Sequence, residues 1–191
     1  MTNEKIYNIP NALSFYRILV FPLQFYFLLS GNELLFAVFL CFNLFTDFLD
    51  GYIARKFNMV TNLGAKLDSL GDYGTYILAF SGIFKFKGQD LVEHGWILYI
   101  FIFLFVLVQI LHFLRFHIFS SFHLYSFKIT GLFQGILFFL WFFIGFYPIY
   151  YYFSIGFGIL SELESLTLVF LLKEKRSNLR GIYWVLNENN G

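Results

Sequence analysis

The chain has 191 residues, of which 59% are hydrophobic, 24% aromatic and only 13% charged, and its mean hydropathy is +0.69. Soluble domains carry roughly 25% charged residues, so this composition excludes a disordered chain and an ordinary cytosolic globule. It indicates an integral membrane protein. The net charge of +1 gives no reason to expect a nucleic-acid partner, and the single cysteine, Cys41, excludes a disulfide scaffold.

Six segments are long and apolar enough to cross a bilayer, which takes about 20 residues. They lie at 13–30, 34–54, 65–84, 96–114, 130–147 and 149–172. Polar or turn-forming stretches separate them at 31–33, 85–95, 120–126 and Pro148. The sequence therefore predicts an all-α bundle of six transmembrane helices that forms one membrane domain over residues 1–191.

The distribution of Lys and Arg predicts the orientation of this bundle. With the N-terminus in the cytoplasm, the outer side receives only two of the 13 basic residues, Lys85 and Lys87. The cytoplasmic side then receives Lys5, Arg17, Arg55, Lys56, Lys66, Arg115, Lys128, Lys173, Lys175, Arg176 and Arg180. An even number of crossings keeps the basic C-terminal segment on that side. We therefore expect both termini in the cytoplasm.

Four aspartates stand out from the apolar background. Asp47 and Asp50 are three residues apart on the second span, and Asp68 and Asp72 are four apart on the third, so each pair occupies one helix face. A short loop makes these spans antiparallel neighbours, which places both pairs at the same depth near the cytoplasmic end. Four carboxylates in poorly hydrated surroundings require a positive partner. Oxygen ligands suit Mg²⁺ or Mn²⁺, and paired ions of this kind serve phosphoryl transfer.

The aspartates permit other interpretations as well. They could line the path of a divalent-cation transporter or channel, or they could form structural ion pairs with Arg17, Arg55 and Arg115. A transporter site is expected nearer the middle of the membrane and between related halves of the chain. These aspartates lie at one end, and the sequence shows no internal repeat.

Small residues and one cation flank the carboxylates. Gly51, Ala54 and Gly64 leave room for a bulky anionic ligand near the backbone, although small residues also serve helix packing in membranes. Arg55 lies one turn beyond Asp50 and could pair with it or clamp a phosphate.

In chain order, these residues resemble the signature of the CDP-alcohol phosphotransferase family. That signature is D-x-x-D-G-x-x-A-R, eight residues, then G-x-x-x-D-x-x-x-D, and all eight fixed positions match between Asp47 and Asp72. Upstream, residues 9–17 are similar to the family's I-P-N-x-L-[ST]-x-x-R opening of the first span. Six spans with cytoplasmic termini are also what the resemblance implies.

The resemblance implies transfer of a phosphatidyl group from CDP-diacylglycerol to an alcohol with release of CMP, or a sister reaction from a CDP-amino-alcohol to diacylglycerol. It implies two metal ions, Mg²⁺ or Mn²⁺, held by Asp47, Asp50 and Asp68. Asp72 would complete the site and act as general base on the acceptor hydroxyl. On the same resemblance, the cytidine-diphosphate site is lined by Gly51, Ala54, Arg55 and Gly64. The protein would work as a homodimer in the lipid bilayer, and the complete aspartate set argues against a catalytically inactive scaffold.

A second basic cluster follows on the fourth and fifth spans, and it comprises Arg115, His117, His123 and Lys128. We expect Arg115 and Lys128 to bind a phosphate on the acceptor, with membrane anchoring as the alternative role. Residues 128–134 are loosely similar to the G-K-x-K-T-x-x-Q stretch of phosphatidylglycerophosphate synthases, but Thr130 and Gly131 depart from it. Residues 68–72 are closer to phosphatidylserine synthases, but the F-G-x-A-P stretch that follows in those enzymes is missing here. Glycerol 3-phosphate is therefore the first expected acceptor, followed by serine, inositol phosphate or an amino-alcohol.

Overall fold

The computed structural model describes residues 8–116, 124–172, 179 and 181–189. This part of the chain is helical throughout and contains no strand, which confirms the all-α prediction. Its helices are α1 (Ile9–Ser30), α2 (Glu33–Lys56), α3 (Asn62–Phe86), α4 (Gly88–Phe116), α5 (Tyr125–Phe143), α6 (Pro148–Leu171) and α7 (Ile182–Asn189). Five of them, α1, α2, α4, α5 and α6, are long and apolar enough to cross a membrane.

Helix α3 coincides with the predicted third span but differs in composition from the five. Its 25 residues give it a length of about 38 Å at 1.5 Å per residue, which exceeds the hydrocarbon core. Its mean hydropathy is lower because it carries Lys66, Asp68, Asp72 and Lys85 together with several glycines. The length of α3 is therefore sufficient for a membrane span, but its hydropathy alone does not identify it as one.

Several predicted boundaries differ from the structure, and two of the differences have a clear physical reason. The stretch 85–95 is not a loop, because only Lys87 separates α3 from α4. Polar residues continue the helix there, and Asp90 in the first turn of α4 accepts a hydrogen bond from Trp141 Nε1 at 2.6 Å. The fifth span ends at Phe143 rather than 147, since Gly145 adopts a positive φ of 152° that a helix cannot contain.

Helices α1, α2 and α3 form one compact unit, and each begins at a capping side chain. Asn8 accepts a hydrogen bond from the backbone N–H of Asn11, and Asn32 and Thr61 cap α2 and α3 in the same way. Gly31 closes α1 in the left-handed conformation with φ of 76°. These caps fix the starts of α2 and α3, which carry the four aspartates, and of α1, which packs against both.

The inner face of α1 is polar, whereas its outer face is apolar. The buried side chains Asn11, Ser14, Arg17 and Gln24 recur at three- to seven-residue intervals along one face, while Leu19 and Leu29 are exposed. This inverts the pattern of a soluble helix, because lipid rather than water surrounds the outer face.

Glycines of α3 let α1 approach closely. A methyl group at Gly71 would lie 3.2 Å from Arg17 Cζ, and one at Gly74 would lie 3.1 Å from Phe21 Cδ2. Because Gly71 and Gly74 have no side chain, the polar face of α1 can approach α3 and reach the aspartates.

Helices α4 to α7 belong to a second compact unit. Within it, Thr130 and Ser161 join α5 to α6 by a hydrogen bond of 2.8 Å. A carboxylate oxygen of Glu164 accepts a bond from the backbone N–H of Ile182 at 2.9 Å and so fixes the first turn of α7. Helix α7 lies beyond the six predicted spans, and Val185 packs it onto a cluster with Leu168 and Val169.

Candidate active site

The four aspartates converge on one guanidinium group, that of Arg17 in α1. Its Nη1 donates to Asp47 Oδ1 at 2.5 Å and to Asp72 Oδ1 at 2.9 Å, and its Nη2 donates to Asp50 Oδ2 at 3.1 Å and to Asp68 Oδ1 at 2.7 Å. Each nitrogen therefore joins one carboxylate of α2 to one of α3. The predicted convergence of the two pairs is confirmed.

The side chains of the cluster differ in burial: two are buried and three are partly exposed. The side chains of Arg17 and Asp50 are 1% and 4% exposed, and Asp50 also accepts a hydrogen bond from Ser14 Oγ at 3.0 Å. The side chains of Asp47, Asp68 and Asp72 are 43%, 36% and 42% exposed. A ligand can therefore reach three of the four carboxylates without opening the helix packing.

Ion pairing within the chain compensates only part of the cluster's negative charge. Arg17 pairs with all four aspartates, which bears out that part of the ion-pair interpretation. The other two candidates do not take part, since the exposed Arg55 forms no ion pair with the described residues. Arg115 donates instead to the backbone carbonyls of Phe170 and Leu172. One guanidinium thus faces four carboxylates.

The donor set fits a hard divalent cation. Asp47, Asp50 and Asp68 each offer one oxygen, and these oxygens lie within 4.8 Å of one another. Carboxylate oxygens are the ligands that Mg²⁺ and Mn²⁺ prefer, whereas Zn²⁺ favours His and Cys. Asp72 lies outside this group of three but shares Arg17 Nη1 with Asp47. These residues can therefore hold a metal ion, with Asp72 beside it.

The small residues of the signature have distinct surroundings. A methyl group on Gly64 would lie 2.3 Å from Asn11 Oδ1, so this glycine admits α1. One on Gly51 would lie 3.2 Å from Arg55 Nη2, so the Arg55 side chain passes directly over Gly51. Ala54 is half-buried. Packing against α1 therefore accounts for Gly64, and the absence of a side chain at Gly51 leaves room for the Arg55 guanidinium one turn away.

The predicted acceptor residues belong to the second unit, where each has its own contact. Arg115 Nη2 donates to the carbonyl of Leu172 at 2.9 Å and helps to close the end of α6. Lys128 Nζ lies 4.9 Å from the centre of the Tyr125 ring, a cation–π contact. No hydrogen bond or ion pair joins these two described side chains. His117 and His123 lie outside the described residues.

The central position of Arg17 is the feature that sequence reasoning missed. The sequence marked Arg17 as one cytoplasmic charge among several and as one possible ion-pair partner. The available signal was the spacing of Asn11, Ser14 and Arg17, three polar residues at three-residue intervals on an otherwise apolar span. Such a stripe is costly in lipid, and so it indicates a helix face that packs against polar groups.

Comparison with known families agrees with this geometry. The sequence model of the CDP-alcohol phosphatidyltransferase family matches residues 7–169. The match covers most of the chain and includes α1 to α3 with all four aspartates. The chain belongs to the CDP-alcohol phosphatidyltransferase family.

Individual relatives match over shorter stretches. The CDP-diacylglycerol--glycerol-3-phosphate 3-phosphatidyltransferase of Aquifex aeolicus is 46% identical over 65 residues, which is 34% of this chain and 36% of that protein. The protein of the same name from Escherichia coli K12 is 35% identical over 69 residues, 35% of this chain and 38% of that protein. A Schizosaccharomyces pombe fusion protein named cardiolipin synthase (CMP-forming) / mitochondrial hydrolase is 42% identical over 69 residues, 36% of this chain and 12% of that protein.

The chain therefore covers little more than a third of the length of the curated transferases that it matches. No solved structure matches it.

Proposed function

We propose that this protein is a phospholipid-synthesis transferase that moves a phosphatidyl group from CDP-diacylglycerol to an alcohol and releases CMP. The observation that carries the proposal is the convergence of Asp47, Asp50, Asp68 and Asp72 at the family signature. Glycerol 3-phosphate is the first acceptor, because the Aquifex and Escherichia relatives carry it in their names. Serine, inositol phosphate and amino-alcohols follow.

In this proposal, Asp47, Asp50 and Asp68 hold two divalent ions, Mg²⁺ or Mn²⁺, and Asp72 completes the site. When bound, such ions stabilise the attacking and leaving oxygens of a phosphoryl transfer. The partly exposed carboxylate of Asp72 takes the proton of the acceptor hydroxyl. The acceptor oxygen then bonds to the phosphorus of the phosphatidyl group, the bond to CMP breaks, and CMP leaves with the electron pair.

The donor nucleotide is assigned to the residues between the two aspartate pairs. Arg55 is exposed and forms no ion pair with the described residues, so its guanidinium is available for the diphosphate. Gly51, Ala54 and Gly64 complete the proposed cytidine-diphosphate site, and Gly51 keeps the path of the Arg55 side chain clear.

The proposed membrane arrangement has six spans in one domain, with both termini and the active site on the cytoplasmic side. Helix α3 supplies the remaining span, because its length suffices and it packs against α1 and α2. The protein would act as a homodimer, as the sequence resemblance implies.

The acceptor phosphate is assigned to Arg115 and Lys128. Because a charge-assisted hydrogen bond contributes about 1.5–3 kcal/mol, Lys128→Ala should raise the KM for a phosphorylated acceptor by roughly ten- to hundred-fold. The KM for CDP-diacylglycerol should stay nearly unchanged. Steady-state kinetics with each substrate varied in turn measure both values. If an unphosphorylated alcohol proves the best acceptor, the two residues are membrane anchors instead.

The function is tested by supplying purified protein in lipid vesicles with CDP-diacylglycerol, Mg²⁺ or Mn²⁺, and each acceptor in turn. Release of CMP together with a phospholipid product of the mass expected for one acceptor supports the proposal. Absence of CMP release with every acceptor, combined with uptake of Mn²⁺ into the vesicles, would establish the transporter interpretation.

A further inference from the structure

Arg17 cross-links the two halves of the aspartate cluster. Each of its terminal nitrogens bonds one carboxylate of α2 and one of α3, so all four donor directions toward the cluster are used. The remaining guanidinium donor, Nε, is buried without a hydrogen-bond partner among the described residues. The side chain is thus bound through its two terminal nitrogens alone.

The surroundings of Arg17 leave it little freedom to move. Its side chain is 1% exposed, and the α3 backbone at Gly71 lies so close that a methyl group there would come within 3.2 Å of Cζ. The planar fork of arginine fits two carboxylate pairs at once, whereas the ammonium group of lysine is a single point. The shape of the guanidinium and its positive charge therefore contribute separately to holding the four carboxylates.

We propose that Arg17 is the resident counter-ion of the aspartate cluster: its guanidinium holds the four carboxylates together whenever no cation does, and it competes with a divalent cation for them. The role as competitor rests on the metal site of the proposed function. Arg17 is in these terms a positioning residue, because it acts on the reaction through the carboxylates.

The competition follows from the shared ligands. Three of the carboxylates that Arg17 bonds are those whose oxygens lie within 4.8 Å of one another. A cation among those oxygens sits a few ångströms from the guanidinium, and like charges at that distance repel strongly in a poorly hydrated site. Removal of the positive charge should therefore tighten cation binding even as it loosens the helix contacts.

Binding of Mn²⁺ to purified protein, followed by electron paramagnetic resonance after treatment with EDTA and desalting, tests this inference. Arg17→Gln should bind Mn²⁺ about tenfold or more tightly than the wild type, because it lacks the positive charge that repels the cation. A tenfold change in affinity corresponds to about 1.4 kcal/mol. In EDTA, the same variant should melt at a lower temperature than the wild type, and added Mn²⁺ should raise its Tm by a larger amount.

Two variants separate charge from geometry and location. Arg17→Lys keeps the charge but loses the fork, so its Tm in EDTA should fall while its affinity for Mn²⁺ stays near that of the wild type. Lys66→Gln removes a positive charge two residues from Asp68, where the exposed lysine forms no ion pair with the described residues. Its affinity for Mn²⁺ should change less than about twofold because its charge is screened by solvent.

Equal or weaker binding of Mn²⁺ by Arg17→Gln would overturn the inference, whether or not the wild type is active. If Arg17→Gln binds Mn²⁺ and the wild type does not, the inference holds and the proposed metal site of the wild type fails. If neither binds, both fail. Should Arg17→Gln not fold, Gly71→Ala displaces the guanidinium without removing a charge. A weaker affinity for Mn²⁺ in that variant would contradict the competition.

Discussion

Buried polar side chains in the described part of the chain lie on inward helix faces, and most of them are paired. Gln24 and Asn43 join α1 to α2 through a hydrogen bond of 2.6 Å, although both side chains are almost fully buried. Glu162 of α6 differs from them. It is 3% exposed, and its Oε2 has no hydrogen-bond partner among the described residues. A carboxyl group in that setting loses hydration without compensation.

Replacement of Glu162 by glutamine should therefore stabilise the protein. The amide keeps the shape and avoids the cost of burying a charge, and each kcal/mol gained should raise Tm by about 2–4 °C. Thermal melting in detergent at neutral pH measures the change. Glu164→Gln is the matched control, and it should lower Tm slightly because its carboxylate caps α7. A lower Tm for Glu162→Gln would contradict the unfavourable burial of this carboxyl group.

Several glycines of α3 lie where a neighbouring helix leaves little room for a side chain. Its glycines face α1 at one end and α2 at the other, where a methyl group on Gly82 would come within 2.2 Å of Phe36 Cε1. Phe36 is fully buried. The ring therefore cannot move aside without disturbing the contact between α2 and α3.

Gly82→Ala should destabilise the α1–α3 unit by roughly 1–3 kcal/mol, the usual cost of overpacking. Gly135→Ala in α5 is the matched control, because nothing lies within 4 Å of the added methyl group. That control should be neutral or stabilising by up to about 1 kcal/mol, since alanine favours helices over glycine. Denaturation of both variants in detergent compares them, and equal stability would contradict the close contact at Gly82.

Hydropathy and residue spacing predict most of these elements because each helix has to fill the thickness of a bilayer. They fail where that constraint ends. The first turns of α4 include Asp90 and Glu93. Charged residues of this kind predict a loop only on the assumption that a helix ends at the membrane surface. Ile144 and Tyr147 are apolar, so hydropathy could not show that α5 ends before them.

At the scale of the first unit, basic residues lie at both ends of α2. Lys87 pairs with Glu33 at 2.7 Å, where α2 begins and α3 ends. Arg55 and Lys56 lie at the other end of α2, which is the end nearer the aspartates. The 24 residues of α2 separate the two ends by about 36 Å. That distance suits the proposed arrangement, in which Lys85 and Lys87 lie outside and the site lies on the cytoplasmic side.

Cysteine labelling tests this orientation. In a Cys41→Ser background, Gly88→Cys should react with a membrane-impermeant maleimide applied to intact cells, because it follows Lys87 at the proposed outer end. Lys56→Cys should react only after the membrane is made permeable. The opposite pattern would place the aspartates on the outer side and remove the proposed access to cytoplasmic CDP-alcohols.

The candidate site was predictable only in part. The spacing of the aspartates along α2 and α3 fixed which carboxylates share a face, since helix geometry depends on local sequence. The rotation of α1 depends on long-range packing at Gly71 and Gly74, so neither the position of Arg17 nor its four bonds could be derived from its place in the chain.

The measurement that tests the account most directly is metal-dependent CMP release from CDP-diacylglycerol by the wild type, Asp68→Asn and Ser69→Ala side by side. Asp68→Asn keeps the side-chain shape but removes a charged ligand, and it should lower the rate by orders of magnitude. Ser69→Ala alters the neighbouring residue, whose hydroxyl donates to the carbonyl of Ala65 in its own helix, and should retain activity close to that of the wild type. Wild-type rates of CMP release in Asp68→Asn, or in metal-stripped buffer, would contradict the proposed chemistry.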